Sequence, residues 1–173
     1  ERDRTAYERR FYVHSCYGRR VNDGLSRLLA RRVAARTDAN VSVAVADAGF
    51  SLSMPLNRKV SVAEILRGLD PGSVREELRE SLAGTDLLQR YFRINATRAL
   101  LVLARYKGYE KSAAEQQVSS EMLLGFVADL EEFAVIEETY RELLEDALHV
   151  DGIETVAAAI REGDLAVEHV RVD

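Results

Sequence analysis

The segment Thr85-Asp-Leu-Leu-Gln-Arg-Tyr-Phe-Arg-Ile-Asn-Ala-Thr-Arg-Ala-Leu-Leu-Val-Leu-Ala-Arg-Tyr-Lys-Gly-Tyr-Glu-Lys-Ser-Ala-Ala-Glu-Gln-Gln117 decides how this chain is read. Its spacing predicts one long helix ending near Tyr106, a basic turn at Lys107-Gly108, and the start of another helix. Ile94, Ala96, Ala99, Leu100, Leu101, Val102 and Leu103 make the second half of that helix apolar on almost every side, the pattern of a buried helix. Arg90, Arg93, Arg98 and Arg105 fall within an arc of about 140° at 100° per residue, an arc shared with Ile94 and Leu101. The expectation is a central helix packed along most of its length, with guanidiniums emerging at one edge.

On the N-terminal side, Arg10–Tyr17 reads as a strand by its β-branched and aromatic content and ends at Gly18. A helix follows over about 20–36, with Val21, Leu25, Leu28, Leu29 and Val33 at helical spacing. Val41–Ala46 and Gly49–Met54 alternate as a strand pair turning at Asp47-Ala-Gly49. After Pro55 the chain becomes helical. Ser61-Val-Ala-Glu64 is a capping box, and Asp70-Pro71 sets an N-cap before a proline at the first helical position of a helix running to Ala83.

On the C-terminal side, Ser112-Ala-Ala-Glu115 is a second capping box, opening a helix to about Leu130. Ile136, Tyr140, Leu143, Leu144 and Ala147 mark another amphipathic helix. Asp151-Gly-Ile-Glu154 resembles a third capping box, and Gly163 is the stop of its helix. Leu165–Val172 alternates as a strand that is expected to return to the N-terminal sheet, because an isolated strand leaves its backbone unsatisfied. The order β-α-β-β-α₆-β gives an α+β fold. A small mixed or antiparallel sheet, built from the N-terminal strands and the C-terminal strand, packs with a mostly helical second half.

The 173 residues suit one domain with a sizeable core, and 47% apolar residues agree. No run of 18 apolar residues occurs, so no membrane span is expected, and the polar start reads as no signal peptide. One cysteine, Cys16, excludes an internal disulfide and a multi-cysteine metal site, which fits a reducing, cytoplasmic setting. The net charge of −5 hides an asymmetry: residues 1–112 carry 21 Lys/Arg against 13 Asp/Glu, and residues 113–173 carry 3 against 16. Two readings follow. The basic part meets a polyanion, or the two parts neutralise each other across a shared interface. Arginine dominates the cations, which fits phosphate recognition or a compositional bias.

No phosphate-binding loop, dinucleotide fingerprint, nucleophile elbow or His-Glu-x-x-His motif occurs. The histidines lie far apart. His14 and Cys16 would share a strand face, but no third group orients them, and a packed strand cysteine is the simpler reading. Acidic pairs such as Glu131/Glu132 and Glu137/Glu138 read as solvated helix faces. The turn Tyr17-Gly-Arg-Arg-Val-Asn22 offers a helix N-terminus with two guanidiniums, either an anion site or a plain connection with solvated arginines. Arg105-Tyr-Lys-Gly-Tyr-Glu-Lys111 interleaves cations with tyrosines, the makeup of a single-strand contact, though a helix C-terminus also favours Lys and Arg.

At these residues the chain resembles the DEAD/H-associated domain of Lhr-type (large helicase-related) helicases, most of all their archaeal branch. Tyr12-Val-His-Ser-Cys-Tyr-Gly-Arg-Arg-Val-Asn-Asp-Gly-Leu-Ser-Arg-Leu-Leu29 carries the opening pattern. The likeness continues through Leu69-Asp-Pro71, Leu88-Gln-Arg-Tyr-Phe-Arg93, Arg105-Tyr-Lys-Gly108, Gln116-Gln-Val-Ser-Ser120, Leu144-Glu-Asp146 and Ile160-Arg-Glu-Gly-Asp164. The hairpin Ala46–Ser53 departs from the pattern. The resemblance implies an accessory domain, residues 1–173, of a superfamily 2 ATP-dependent helicase that moves 3′ to 5′. In that picture ATP and magnesium sit on motor domains outside this chain, which itself holds no cofactor, metal or catalytic residue. Its partners would be single-stranded DNA or RNA and the RecA-like and winged-helix domains of its parent, with no membrane. On this reading Arg19, Arg20, Arg90, Arg93, Arg98, Lys107 and Lys111 pair phosphates, Asn22 and Gln116 hydrogen-bond sugar or phosphate, and Tyr106 or Tyr109 stacks on a base. The competing reading is an interdomain docking or dimerisation module.

Overall fold

The computed structural model describes residues 8–127, 130 and 133–170. The chain divides into two compact units, one from Glu1–Ser81 with Ala147–Asp173, the other from Leu82–Asp146.

In the first unit, strand β1 (Glu8–His14) and strand β2 (Ser42–Ala46) flank strand β3 (Gly49–Pro55), all antiparallel. Strand alternation sorts the residues by face. Phe11 and Val13 stand opposite Leu52 and Phe50, and Val43 and Val45 meet the same pair from the other side. Phe50, Leu52 and Met54 are buried. Helix α1 (Arg19–Thr37) packs on this sheet and buries Val21, Leu25, Leu28, Leu29 and Val33 along one stripe. The Ser61 cap accepts the Glu64 N–H at 3.3 Å and opens helix α2 (Val62–Arg67). Pro71–Ser73 forms a 3-10 turn that leads into helix α3 (Val74–Leu82).

The second unit begins with helix α4 (Asp86–Arg98), capped by Thr85, which accepts the Leu88 N–H at 3.3 Å. A short hairpin follows, with β4 (Arg105–Tyr106) paired to β5 (Tyr109–Glu110). Helix α5 (Ala113–Val127) and helix α6 (Ala134–Arg141) pack against α4, and α6 widens into a π-helical stretch at Glu142–Ala147. At the start of α5 the Ser112 and Glu115 side chains cap each other's backbone N–H groups, at 2.8 and 3.3 Å. Helix α7 (Val150–Glu162) then rejoins the first unit and lies on α1. It ends at Gly163, whose φ of 88° and N–H bond to the Ile160 carbonyl match the expected stop.

Four expectations change. The central helix stops at Arg98, not near Tyr106. Leu101 N–H bonds to the Ala96 carbonyl and Leu100 N–H to the Thr97 carbonyl, a Schellman termination with Leu100 at φ 59° where glycine is usual. The reversal leaves Val102 buried while Leu100, Leu101 and Leu103 stay exposed. Residues 165–170 form no ladder, so the antiparallel sheet is built from the N-terminal strands alone. The Leu165 N–H is satisfied by the Ala159 carbonyl, and the Val167 carbonyl accepts from Arg67 at 2.6 Å; residues 171 and 172 lie outside the described residues. Asp151 does not cap α7, whose N-cap is His149 at φ 50°; the Asp151 carboxylate lies 3.0 Å from Arg75 instead. Cys16 is exposed, because β1 ends at His14 and Cys16 falls in the turn beyond it.

Candidate nucleic-acid interface

The candidate cations divide between the units. Arg19 and Arg20 are exposed at the start of α1, where Gly18 makes no side-chain cap and the first turn carries no carboxylate. That is the arrangement in which helix N–H groups and guanidiniums both favour an anion.

Asn22, one turn into α1, is not available to a ligand. It is fully buried, and its Nδ2 donates to the carbonyls of Ser15 at 3.1 Å, Ala46 at 3.0 Å and Asp47 at 2.9 Å. It pins the β1–α1 turn to the β2–β3 turn, satisfying its own buried amide donors on backbone carbonyls. The sugar or phosphate contact expected of it is replaced by this internal one.

In the second unit, Leu88, Phe92, Asn95 and Ala96 face inward from α4, which turns Arg90 and Arg93 to the other side. Arg90 is exposed and Arg93 half-buried, and neither makes an ion pair among the described residues. Arg98 differs. Its Nη1 lies 3.0 Å from Glu142 and 3.3 Å from Asn95 Oδ1, and Asn95 Nδ2 in turn donates to Thr139 at 3.2 Å and Glu142 at 3.0 Å. Arg98 is therefore bound into the α4–α6 contact, a cost that a phosphate would have to match.

The hairpin gathers the rest. Lys107 at φ 48° and Gly108 at φ 83° form its tip, the two positive-φ positions of a tight hairpin turn. The Tyr106 side chain lies outside the described residues. Tyr109 is exposed, but its hydroxyl donates to Glu115 at 2.9 Å. That carboxylate raises the Tyr109 phenol pKa, and Glu115 is held below the usual range by the Ser112 N–H and hydroxyl and by Tyr109. Lys111 Nζ reaches Ser119 at 3.5 Å, and Gln116 donates to the Lys111 carbonyl at 3.0 Å. Gln116 thus serves as a local brace for the start of α5.

The second unit also carries an exposed apolar strip, whose Leu101 and Leu103 were expected inside a buried helix. Leu101, Leu103, Met122 and Phe126 line a groove of about 560 Å³, and Phe126 is 75% exposed. Met122 and Phe126 are four residues apart, with Val118 four before, so the stripe on α5 was visible in the spacing. Among the described residues no group of three or more His, Cys, Asp or Glu side chains could hold a metal, and no helix is long and apolar enough to cross a membrane.

The chain belongs to the DEAD/H associated family, whose model matches residues 1–173. It is 40% identical over 164 residues to the ATP-dependent helicase Lhr-Core of Methanothermobacter thermautotrophicus, covering 94% of this chain and 19% of that one. It is 36% identical over 159 residues to the ATP-dependent helicase Lhr-Core of Sulfolobus acidocaldarius, covering 92% and 18%. The chain thus spans less than a fifth of these relatives. A structure of Mycobacterium smegmatis helicase Lhr bound to ssDNA and AMP-PNP shares the fold, with a TM-score of 0.77 at 24% identity over 93% of this chain and 20% of that one.

Proposed function

We propose that this chain is an accessory domain of an ATP-dependent helicase, where it helps enclose and contact the single-stranded tracking strand. It would carry no nucleotide site of its own. ATP and magnesium would be held by RecA-like motor domains elsewhere in the parent, beside a winged helix. Family membership and the helicase relatives support the setting. The observation that carries the contact is the pair Arg90 and Arg93, directed away from the buried side of α4 with no carboxylate partner among the described residues. Such guanidiniums pair phosphates and position a strand without reading its sequence. The solved relative is described as bound to ssDNA.

A second reading, docking without nucleic-acid contact, is favoured by the exposed strip of Leu101, Leu103, Met122 and Phe126. Fluorescence anisotropy of a labelled single-stranded oligonucleotide, titrated at several salt concentrations, separates the two. Binding that weakens with salt is expected, and Arg90→Ala with Arg93→Ala should reduce the salt slope by roughly 1.4, about 0.7 for each lost phosphate contact. Affinity indifferent to salt, or unchanged in the folded double variant, would reject the strand contact at α4 and favour docking.

A further inference from the structure

The two edges of the three-stranded sheet are built differently. Strand β1, at one edge, carries Glu8, Arg9, Arg10 and His14. Strand β2, at the other, reads Ser42-Val-Ala-Val-Ala46, with no charge and no proline. Edge strands are normally guarded by charge, proline or a bulge, because every other residue offers its N–H and C=O outward to a further strand. β2 has none of these guards, all its residues but Val45 are exposed, and no other strand pairs with its outer side among the described residues.

A groove of about 660 Å³ runs along the same strand. Val41, Val43 and Val45 form one wall, with Ala30 and Ala34 of α1 opposite. The charges at its rim are already satisfied, Arg27 by Asp23 at 2.9 Å and Arg31 by Glu80. An occupant therefore meets a groove of mixed lining, with the valines and alanines on its walls, Asn40 and Ser81 as further polar neighbours, and the Arg27 and Arg31 charges already paired.

We infer that β2 is a strand-addition site, filled by an extended segment of the parent polypeptide from outside these 173 residues. The segment pairs with β2 as a fourth strand. Alternate apolar side chains enter the groove, as in strand-addition recognition generally. The parent is the preferred source because this chain covers only 18–19% of the helicases it matches, so most of such a polypeptide is tethered nearby. A second copy is the alternative that the concentration dependence below separates from it. This inference rests on family membership and not on strand binding at α4, so either can fail alone.

The test is amide hydrogen exchange of the full-length parent protein and of the 173-residue chain, without nucleic acid. In the parent, the alternate amides of Ser42–Ala46 that face away from β3 should exchange at least about a hundredfold more slowly than in the chain alone. Val43→Lys in the parent should restore fast exchange at those outward amides while Gly49–Pro55 stays protected, which also covers the case where the shorter chain unfolds. Equal exchange in parent and chain, or no effect of Val43→Lys, overturns the inference. Protection of the shorter chain that grows with its concentration also overturns it, in favour of pairing between copies.

Discussion

The Arg32 guanidinium meets the Glu77 carboxylate edge on, with Nε 2.8 Å from Oε2 and Nη2 2.6 Å from Oε1. The pair joins α1 to α3, is only 20% and 25% exposed, and is extended by Arg32 Nη1 on the Gly68 carbonyl and by Ser73 on Glu77. Arg32 holds the Glu77 pKa below its ordinary value against the opposing effect of burial. A depressed carboxylate pKa stabilises the fold above the unfolded-state value, and that stability is lost as pH falls through the folded value. Glu77→Gln should therefore cost about 1–2 kcal/mol at pH 7, and that cost should shrink only as pH falls from the ordinary carboxylate value through the depressed folded one. Urea melts of both proteins across pH 3–7 check this, and an equal difference at every pH would contradict it.

Replacing Asn22 tests its role as an internal brace. Asn22→Ala strands the carbonyls of Ser15, Ala46 and Asp47 and should cost about 2–4 kcal/mol. Asn22→Asp should cost more, because a carboxylate would face three carbonyl oxygens. Thermal melts give the loss. Oligonucleotide affinity per folded molecule should stay unchanged for both variants.

At Gly24, α1 packs closely against α7. A Cβ there would lie 2.2 Å from Ile153 Cδ1 and 3.4 Å from the Leu148 carbonyl oxygen. Ile153 is fully buried, so its terminal methyl has little room to move. Gly24→Ala should destabilise by about 1–3 kcal/mol. Ile153→Val, which deletes that methyl, should recover part of the loss, so a double-mutant cycle should show coupling of at least about 0.5 kcal/mol.

Leu100 sits in the left-handed region without the freedom of glycine. Its side chain is 74% exposed, so little packing is lost on removing it. Leu100→Gly should stabilise by about 0.5 kcal/mol, the left-handed strain of roughly 1 kcal/mol less the extra entropy that glycine gives the unfolded chain. Chemical denaturation midpoints of the two proteins measure it.

The same residue shows where sequence reading stopped. Alternation in Gly49–Met54 was legible because burial there follows the strand period, with Phe50, Leu52 and Met54 buried between less buried serines; in Ser42–Ala46 the sequence alternates although all but Val45 are exposed. The Ser61 and Ser112 caps were legible because capping is local. The end of α4 was not, since leucine occupies the position where glycine would announce a stop and Val102 is drawn inward by packing that no local pattern encodes. The site divided in the same way. Periodicity put Arg90, Arg93, Arg98 and Arg105 on one arc of a helix; the first three lie on α4, but Arg105 lies on β4 beyond it. Asn22 and Gln116 looked like polar contacts, but their partners are backbone carbonyls: for Gln116 the one on neighbouring Lys111, for Asn22 three that the folded turns bring together.

The interruption of the first unit by residues 82–146 orders events during synthesis. Val150, Ile153, Val156 and Ala157 of α7 are buried, and α7 lies on α1 and α2. A ribosome making about 5–20 residues per second needs roughly 3–13 s to cross the intervening stretch. Throughout that interval α1 has emerged without the helix that covers it, and the α7-facing side, including Val21 and Gly24, stays open to wrong partners. The second unit, continuous in sequence, has all its residues available first, so the nascent chain can complete its inserted part before the part that flanks it in sequence.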